Sequence, residues 1–226
     1  MRAIGVDPVA CTRFCEQPDL PAVGGTKTPD VDAIVALAPD VVIVNDEENR
    51  VEDADALTAA GLRVHSTSPR SVADVGPAVV ALADAIGADV PASLLAPQWD
   101  RWLNVQRVAA PSERRRSAVF VWRRPWMTTN SDTYGSSLLD LLGVDNVFAD
   151  SKERYPEVGL EEVAERQADL VLLPDEPYAF RERHVREVEA AVTDADVRVV
   201  DGRDVFWWGV RTPAAASRLR DALRRR

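Results

Sequence analysis

Residues 91–110, PASLLAPQWDRWLNVQRVAA, constrain the chain more than any other stretch. Leu95, Trp99, Trp102, Gln106 and Ala109 recur at spacings of four, three, four and three, which is one face of a helix. Leu94, Val105 and Val108 flank that face and widen it. Pro91 suits a first helical turn, where a missing N–H costs little. Pro97 either kinks the helix or marks its start. The spacing predicts one long helix, and on either side of it the chain alternates strand and helix patterns.

The two flanking blocks repeat a pattern. Residues 31–47 read VDAIVALAPDVVIVNDE and residues 160–176 read LEEVAERQADLVLLPDE. Each runs from a short amphipathic helix through an Asp (Asp40, Asp169) into an apolar strand, and ends on an acidic pair, Asp46–Glu47 or Asp175–Glu176. Arg70–Ser71 and Arg211–Thr212 then open later helices in parallel fashion. Convergence gives helix-to-strand units a shared apolar pattern, but the matched acids favour duplication. The expected fold is α/β, with two Rossmann-like lobes and mainly parallel sheets. An N-terminal lobe over 1–90 and a C-terminal lobe over 112–226 are joined by a backbone helix over 91–111.

Local signals place the elements. Gly5 ends a helical turn at the start, and residues 9–15 read as a short strand. Thr28 caps a helix beginning at Pro29. Strands are expected over 41–44, 63–67, 118–122, 170–173 and 197–200. Helices are expected over 52–60 and 133–142, stopped by Gly61 and Gly143, and over 160–167, 182–192 and 213–225. Ser71 and Asp74 form a capping box for a helix running to about Ile86. Residues 113–116 read as a charged connector.

Composition removes several functions. The formal charge is −10, from 27 basic and 37 acidic residues, whereas nucleic-acid binding needs a basic footprint. No apolar run reaches the roughly 20 residues that span a bilayer. The AVGGTKT stretch at 22–28 lacks phosphate-loop spacing. Cys11 and Cys15 form no zinc or redox motif and read as reduced or partly buried thiols. His65 and His184 are the only histidines, one in a strand and one in a helix. Both read as structural, which leaves no catalytic residue and no direct metal site.

Ligands of open α/β sheets bind beyond the carboxyl ends of the strands. Those ends here carry Arg13 and Phe14; Arg123, Arg124, Trp126 and Met127; Tyr155; and Phe206, Trp207, Trp208 and Arg211. Aromatics in such loops suggest an apolar wall for a large flat ligand, the alternative being that they seal the junction with the long helix. About half are expected to be structural, with Trp122, at a strand end, the first candidate for the core.

Residues 23–75 and 121–180 resemble the N-lobe and C-lobe of helical-backbone substrate-binding proteins of ABC importers. That resemblance implies two lobes joined by one rigid helix, little hinge closure, no enzymatic activity, and capture of cobalamin, haem or a ferric siderophore for a membrane permease. The ligand-binding set it implies is the one above, without Phe206. Phe206–Trp207–Trp208 ahead of Thr212–Pro213 resembles the last cleft loop of cobalamin binders and favours a corrinoid. The arginines, and Gly25–Thr26 where cobalamin binders carry a tryptophan, favour a siderophore. No bound cofactor beyond that ligand is implied, and a monomer is expected. Family members dock to their permease through one acid on each lobe, here Glu47, Glu48 or Glu52, and Glu176 or Glu182. The resemblance also implies an extracytoplasmic protein, periplasmic or anchored to the cell surface. Residues 1–7 resemble the tail of the family's first helix, so a first strand and an export signal are expected upstream; read as given, the chain leaves a soluble cytoplasmic enzyme acting on a tetrapyrrole or metal chelate as the alternative.

Overall fold

The computed structural model describes residues 1–88, 92–109 and 112–224. The chain divides into two compact units, one of Met1–Ser68 with Gly76–Gln98, the other of Pro69–Val75 with Trp99–Arg226.

Unit 1 opens with a single 3-10 turn, Arg2–Ile4, closed by Gly5 at a left-handed φ of 81°. Residues 9–15 form no strand; Cys11 makes only an isolated bridge to Ala22. Helix α1 covers Val31–Leu37, and its cap is Asp30, whose carboxylate accepts from Ala33 N at 3.0 Å. The expected cap at Thr28 is displaced because Thr28 bonds in a turn with Gly25. Strand β1 (Val42–Asn45), helix α2 (Val51–Ala59) and strand β2 (Val64–Thr67) form one right-sized β-α-β step. β1 and β2 pair in parallel from Val42↔Val64 to Asn45↔Thr67, and this is a two-stranded sheet. Unit 1 also holds a cavity of about 610 Å³, lined among others by Val23, Ile34, Val44, Leu57 and Ile86.

Helix α3 (Val72–Ala85) begins in unit 2, with Ser71 N donating to Asp74 Oδ2 at 2.8 Å and Asp74 N to Ser71 Oγ at 3.3 Å. That reciprocal pair is the expected capping box. Helix α4, Ala92–Val108, is the long helix, and it carries Pro97 inside it without interruption. Its buried face differs from the expected one. Trp99 and Leu103 are buried, but Val108 is 89% exposed and Val105 is also exposed. Trp99 Nε1 donates to Val72 O at 3.2 Å and its ring sits 4.9 Å from Trp102, so the tryptophans and Leu103 set the orientation. Pro91 lies outside the described residues.

Unit 2 is built on a five-stranded sheet. Strand β3, Arg115–Trp122, starts earlier than expected and takes Arg115 and Arg116 out of the connector. It turns back antiparallel into β4 (Met127–Thr128) and also pairs in parallel with β5 (Val144–Asn146) and β6 (Leu170–Pro174). β7 (Asp196–Val200) pairs in parallel with β6. β6 has neighbours on both sides, and all five of its residues are buried, as a central parallel strand requires. Helices α5 (Tyr134–Leu141), α6 (Leu160–Glu165), α7 (Glu182–Ala191), α8 (Gly202–Phe206) and α9 (Thr212–Arg224) connect and follow these strands. The order α1-β1-α2-β2 recurs as α6-β6-α7-β7, each with a parallel strand pair. β4, β5 and α8 are too short to show a period in the sequence.

Candidate functional site

The carboxyl ends of β3, β6 and β7 collect the unusual side chains of unit 2. After β3 the chain makes a tight reversal through Arg124, which takes a left-handed φ of 70° before a cis Arg124–Pro125 bond. The reversal places Trp126 against the core rather than in solvent. Its ring stacks on Phe180 at 5.9 Å and tilts against Phe120 at 4.7 Å. Trp122, expected in the core, is instead 44% exposed and meets the edge of Tyr178, at 5.4 Å. The two tryptophans exchange roles because Trp122 is the last residue of β3, beyond the buried run 117–121 and past the register shift between Phe120 and Trp122, while Trp126 packs on Phe120 and Phe180. Met127 faces Trp122 in the β3–β4 ladder and bridges to Glu157. Val158 N donates to Trp126 O at 3.0 Å and Thr128 N to Pro156 O at 3.1 Å, which brings the Tyr155 loop alongside β4.

Arg123 does not stand free. Its guanidinium donates to both oxygens of Glu187 and lies 5.6 Å from the Trp126 ring centre. Contact with Glu187 holds its pKa above the ordinary arginine value. Arg124 is exposed and makes no ion pair among the described residues.

A second group gathers where β6 and β7 end. The Asp201 carboxylate caps α8 by accepting from Arg203 N at 2.9 Å, and Asp175 Oδ1 accepts from Gly202 N at 2.8 Å. A side chain at Gly202 would meet Glu176 Cγ at 2.7 Å, so only glycine lets the β6 end approach α8 this closely. Glu176 therefore points inward. Its Oε1 is buried with no hydrogen-bond partner among the described residues. Burial, then the charges of Asp175 and Asp201, push its carboxyl above the usual range, against the opposing effects of Arg211 and a hydrogen bond with Trp207. Glu176 is thus half-buried and engaged within its own unit.

Trp207 and Trp208 follow α8, half-buried, with Arg211 5.7 Å from the Trp207 ring centre. Arg211 also donates to Arg203 O, and to the buried Asp204 carboxylate at 3.1 Å. Asp204 accepts two further bonds from Arg218 at 2.7 and 2.6 Å. The Tyr134 and Thr212 hydroxyls meet at 2.8 Å beside this network, and burial pushes the tyrosine pKa up to about 12. Asp204, Arg218, Tyr178 and Phe180 also support the site; their roles depend on partners distant in sequence, and a lone acid two residues before an F–W–W run carries no local signal.

In unit 1, Arg13 and Phe14 form the tip of a turn. The guanidinium stacks at 5.0 Å on the Phe14 ring, which remains 57% exposed. Both side chains lie over Gly25, where an added Cβ would approach each at 3.2 Å. Of the candidate docking acids, Glu48, Glu52 and Glu182 are exposed, and Glu47 is half-buried with its carbonyl bound by Lys27 Nζ at 2.6 Å. His184 is structural, as expected: it is buried, and Nδ1 accepts from Arg181 N at 3.0 Å. No cluster of three His, Cys, Asp or Glu side chains suited to a metal ion occurs among the described residues.

The chain is 25% identical over 175 residues to the vitamin B12-binding protein of Yersinia pestis (strain Pestoides F), a match covering 75% of this chain and 62% of that protein. Its fold matches the periplasmic haem-binding protein HutB of Vibrio cholerae, with a TM-score of 0.82 at 20% identity, over 99% of this chain and 94% of that one. It also matches the periplasmic vitamin B12 binding protein BtuF of Vibrio cholerae, with a TM-score of 0.74 at 21% identity, over 93% and 84% respectively. These relatives are binding proteins, and the structural neighbours are of the helical-backbone type. The family model described as periplasmic binding protein matches residues 5–197, and the chain belongs to that family.

Proposed function

We propose that this chain is the substrate-binding component of an ABC importer, working outside the cytoplasm, and that it captures a metal chelate by its organic shell, a corrinoid before haem or a ferric siderophore. The observation that carries this reading is the Trp207–Trp208 loop. It presents two half-buried indoles beside Arg211 at the carboxyl end of a parallel sheet, where α/β folds hold their ligands. Flat apolar faces suit a corrin or porphyrin ring. Trp122 adds an exposed indole at the end of β3. Arg124 is the cation of the C-terminal set best placed to meet a ligand phosphate or carboxylate, since Arg123 and Arg211 already hold carboxylates. The B12-binding relatives favour the corrinoid. Delivery to a permease would use Glu48 or Glu52 on unit 1 and Glu182 on unit 2, where charge chiefly contributes orientation and on-rate.

Titration with cobalamin, haem and a ferric siderophore, followed by tryptophan fluorescence quenching, tests this reading. Cobalamin is expected to quench most tightly and to emerge unchanged after prolonged incubation. Replacing Trp207 and Trp208 together by Ala should weaken binding by about 2–4 kcal/mol, as loss of aromatic anchors does. Equal affinity in parent and double variant would remove the loop from the site; turnover of the chelate would replace the reading with an enzymatic one.

A further inference from the structure

Two cysteines, Cys11 and Cys15, bracket the turn that carries Arg13 and Phe14. Cys15 N donates to Thr12 O at 3.0 Å, which closes the turn. Cys11 N donates to Pro21 O at 3.1 Å and Val23 N donates to Cys11 O at 3.0 Å, so the base of the turn is held to the neighbouring segment. Cys11 is half-buried and Cys15 exposed, and both line the unit 1 cavity. The Cys15 sulfur lies 3.4 Å from Thr12 Oγ1. Burial pushes the Cys11 thiol up, and Cys15 reinforces this through its charge and a hydrogen bond. Zinc would need further ligands, and no third metal-binding side chain joins the pair among the described residues.

We propose that Cys11 and Cys15 form a reversible intramolecular disulfide that locks the Arg13–Phe14 turn. The oxidant is a small-molecule disulfide. The exposed Cys15, as thiolate, attacks one of its sulfurs, forming a mixed disulfide and expelling one thiolate. Cys11, as thiolate, then attacks the Cys15 sulfur and expels the second. Two protons leave the protein and two electrons pass to the external disulfide, so the exchange balances. The turn hydrogen bonds hold the second nucleophile beside the first, which favours ring closure over accumulation of the mixed disulfide. The linkage would fix the backbone on both sides of the exposed tip of unit 1. It rests on the turn alone and stands apart from the identity of any ligand.

The test treats the full chain with oxidised glutathione, quenches with iodoacetamide and measures intact mass. The parent is expected to lose two hydrogens, carry no glutathione and take up no alkyl group. Cys11→Ser and Cys15→Ser should each retain one glutathione. Trypsin cleaves after Arg13, inside the proposed ring; the two flanking peptides should stay joined until dithiothreitol separates them, a readout that needs no variant. A parent that keeps glutathione on either cysteine, forms a disulfide-linked dimer, or is alkylated at both thiols after this treatment overturns the proposal.

Discussion

Glu187 on α7 grips Arg123 at the end of β3 through both carboxylate oxygens, at 3.0 and 2.8 Å, and the gripped guanidinium lies against Trp126. The pair ties a strand end to a helix. Because Arg123 is 15% and Glu187 37% exposed at the side chain, solvent screens part of the attraction. A double-mutant cycle with Arg123→Ala and Glu187→Ala, read by urea unfolding, should give a coupling of about 1 kcal/mol. A coupling near zero would return Arg123 to the ligand.

Asp204 is 3% exposed and accepts from both Arg211 and Arg218. Replacing it with Asn keeps the shape and removes the charge between two cations. Asp204→Asn should cost about 2–3 kcal/mol of stability, measured as a lower urea midpoint with an unchanged slope. Because Arg211 also carries the Trp207 ring, the same variant should weaken chelate binding. A variant as stable as the parent would show that the arginines rehydrate freely.

Burial, then the positive charges of Arg183 and Arg123, hold the His184 pKa below the ordinary imidazole value. Its neutral ring accepts the Arg181 N–H, which an imidazolium cannot do. The folded state therefore binds this proton less readily than the unfolded chain, so the contribution of His184 to stability is present above the unfolded pKa of about 6.5 and is lost as pH falls below it. His184→Gln keeps a capping acceptor without the titration. Its stability between pH 7.5 and 5.5 should fall less steeply than the parent's, by at most about 1.4 kcal/mol per pH unit. Parallel pH profiles would exclude His184 as the source of any acid lability.

The two units differ in how well they are filled. In unit 2, β6 is buried at every residue and sits among Phe120, Phe148 and Phe180. In unit 1, β1 has one partner strand and only Val44 of its four residues is buried, lining the 610 Å³ cavity. Native-state hydrogen exchange should therefore show Leu172 among the slowest amides and Ile43 opening at a distinctly lower free energy. Ligand addition should slow exchange at Trp207 and Trp208. Equal protection of β1 and β6 would mean that the thin unit is stabilised by something other than packing.

The sequence by itself determined whatever depends on a few neighbouring residues. The period of residues 91–110 yields the long helix; Gly61 and Gly143 stop helices at left-handed φ values of 86° and 85°; Ser71 and Asp74 cap each other. The repeated helix–strand pattern likewise produces α1-β1 and α6-β6, because each interaction spans at most one turn or one pleat. The tertiary structure alone decided which aromatics are presented. Trp122 ends β3 and Trp126 lies four residues on in the turn after it, and only the packing of Phe180 and the Glu187–Arg123 clamp, from 54 to 64 residues further on, draws Trp126 inward while Trp122 stays exposed. It also turned Glu176 inward, through the close approach of Gly202, and selected Leu103 over Val105 and Val108 on the long helix. Burial is a property of what lies across the sheet or beside the helix, and a local pattern carries no record of those distant partners.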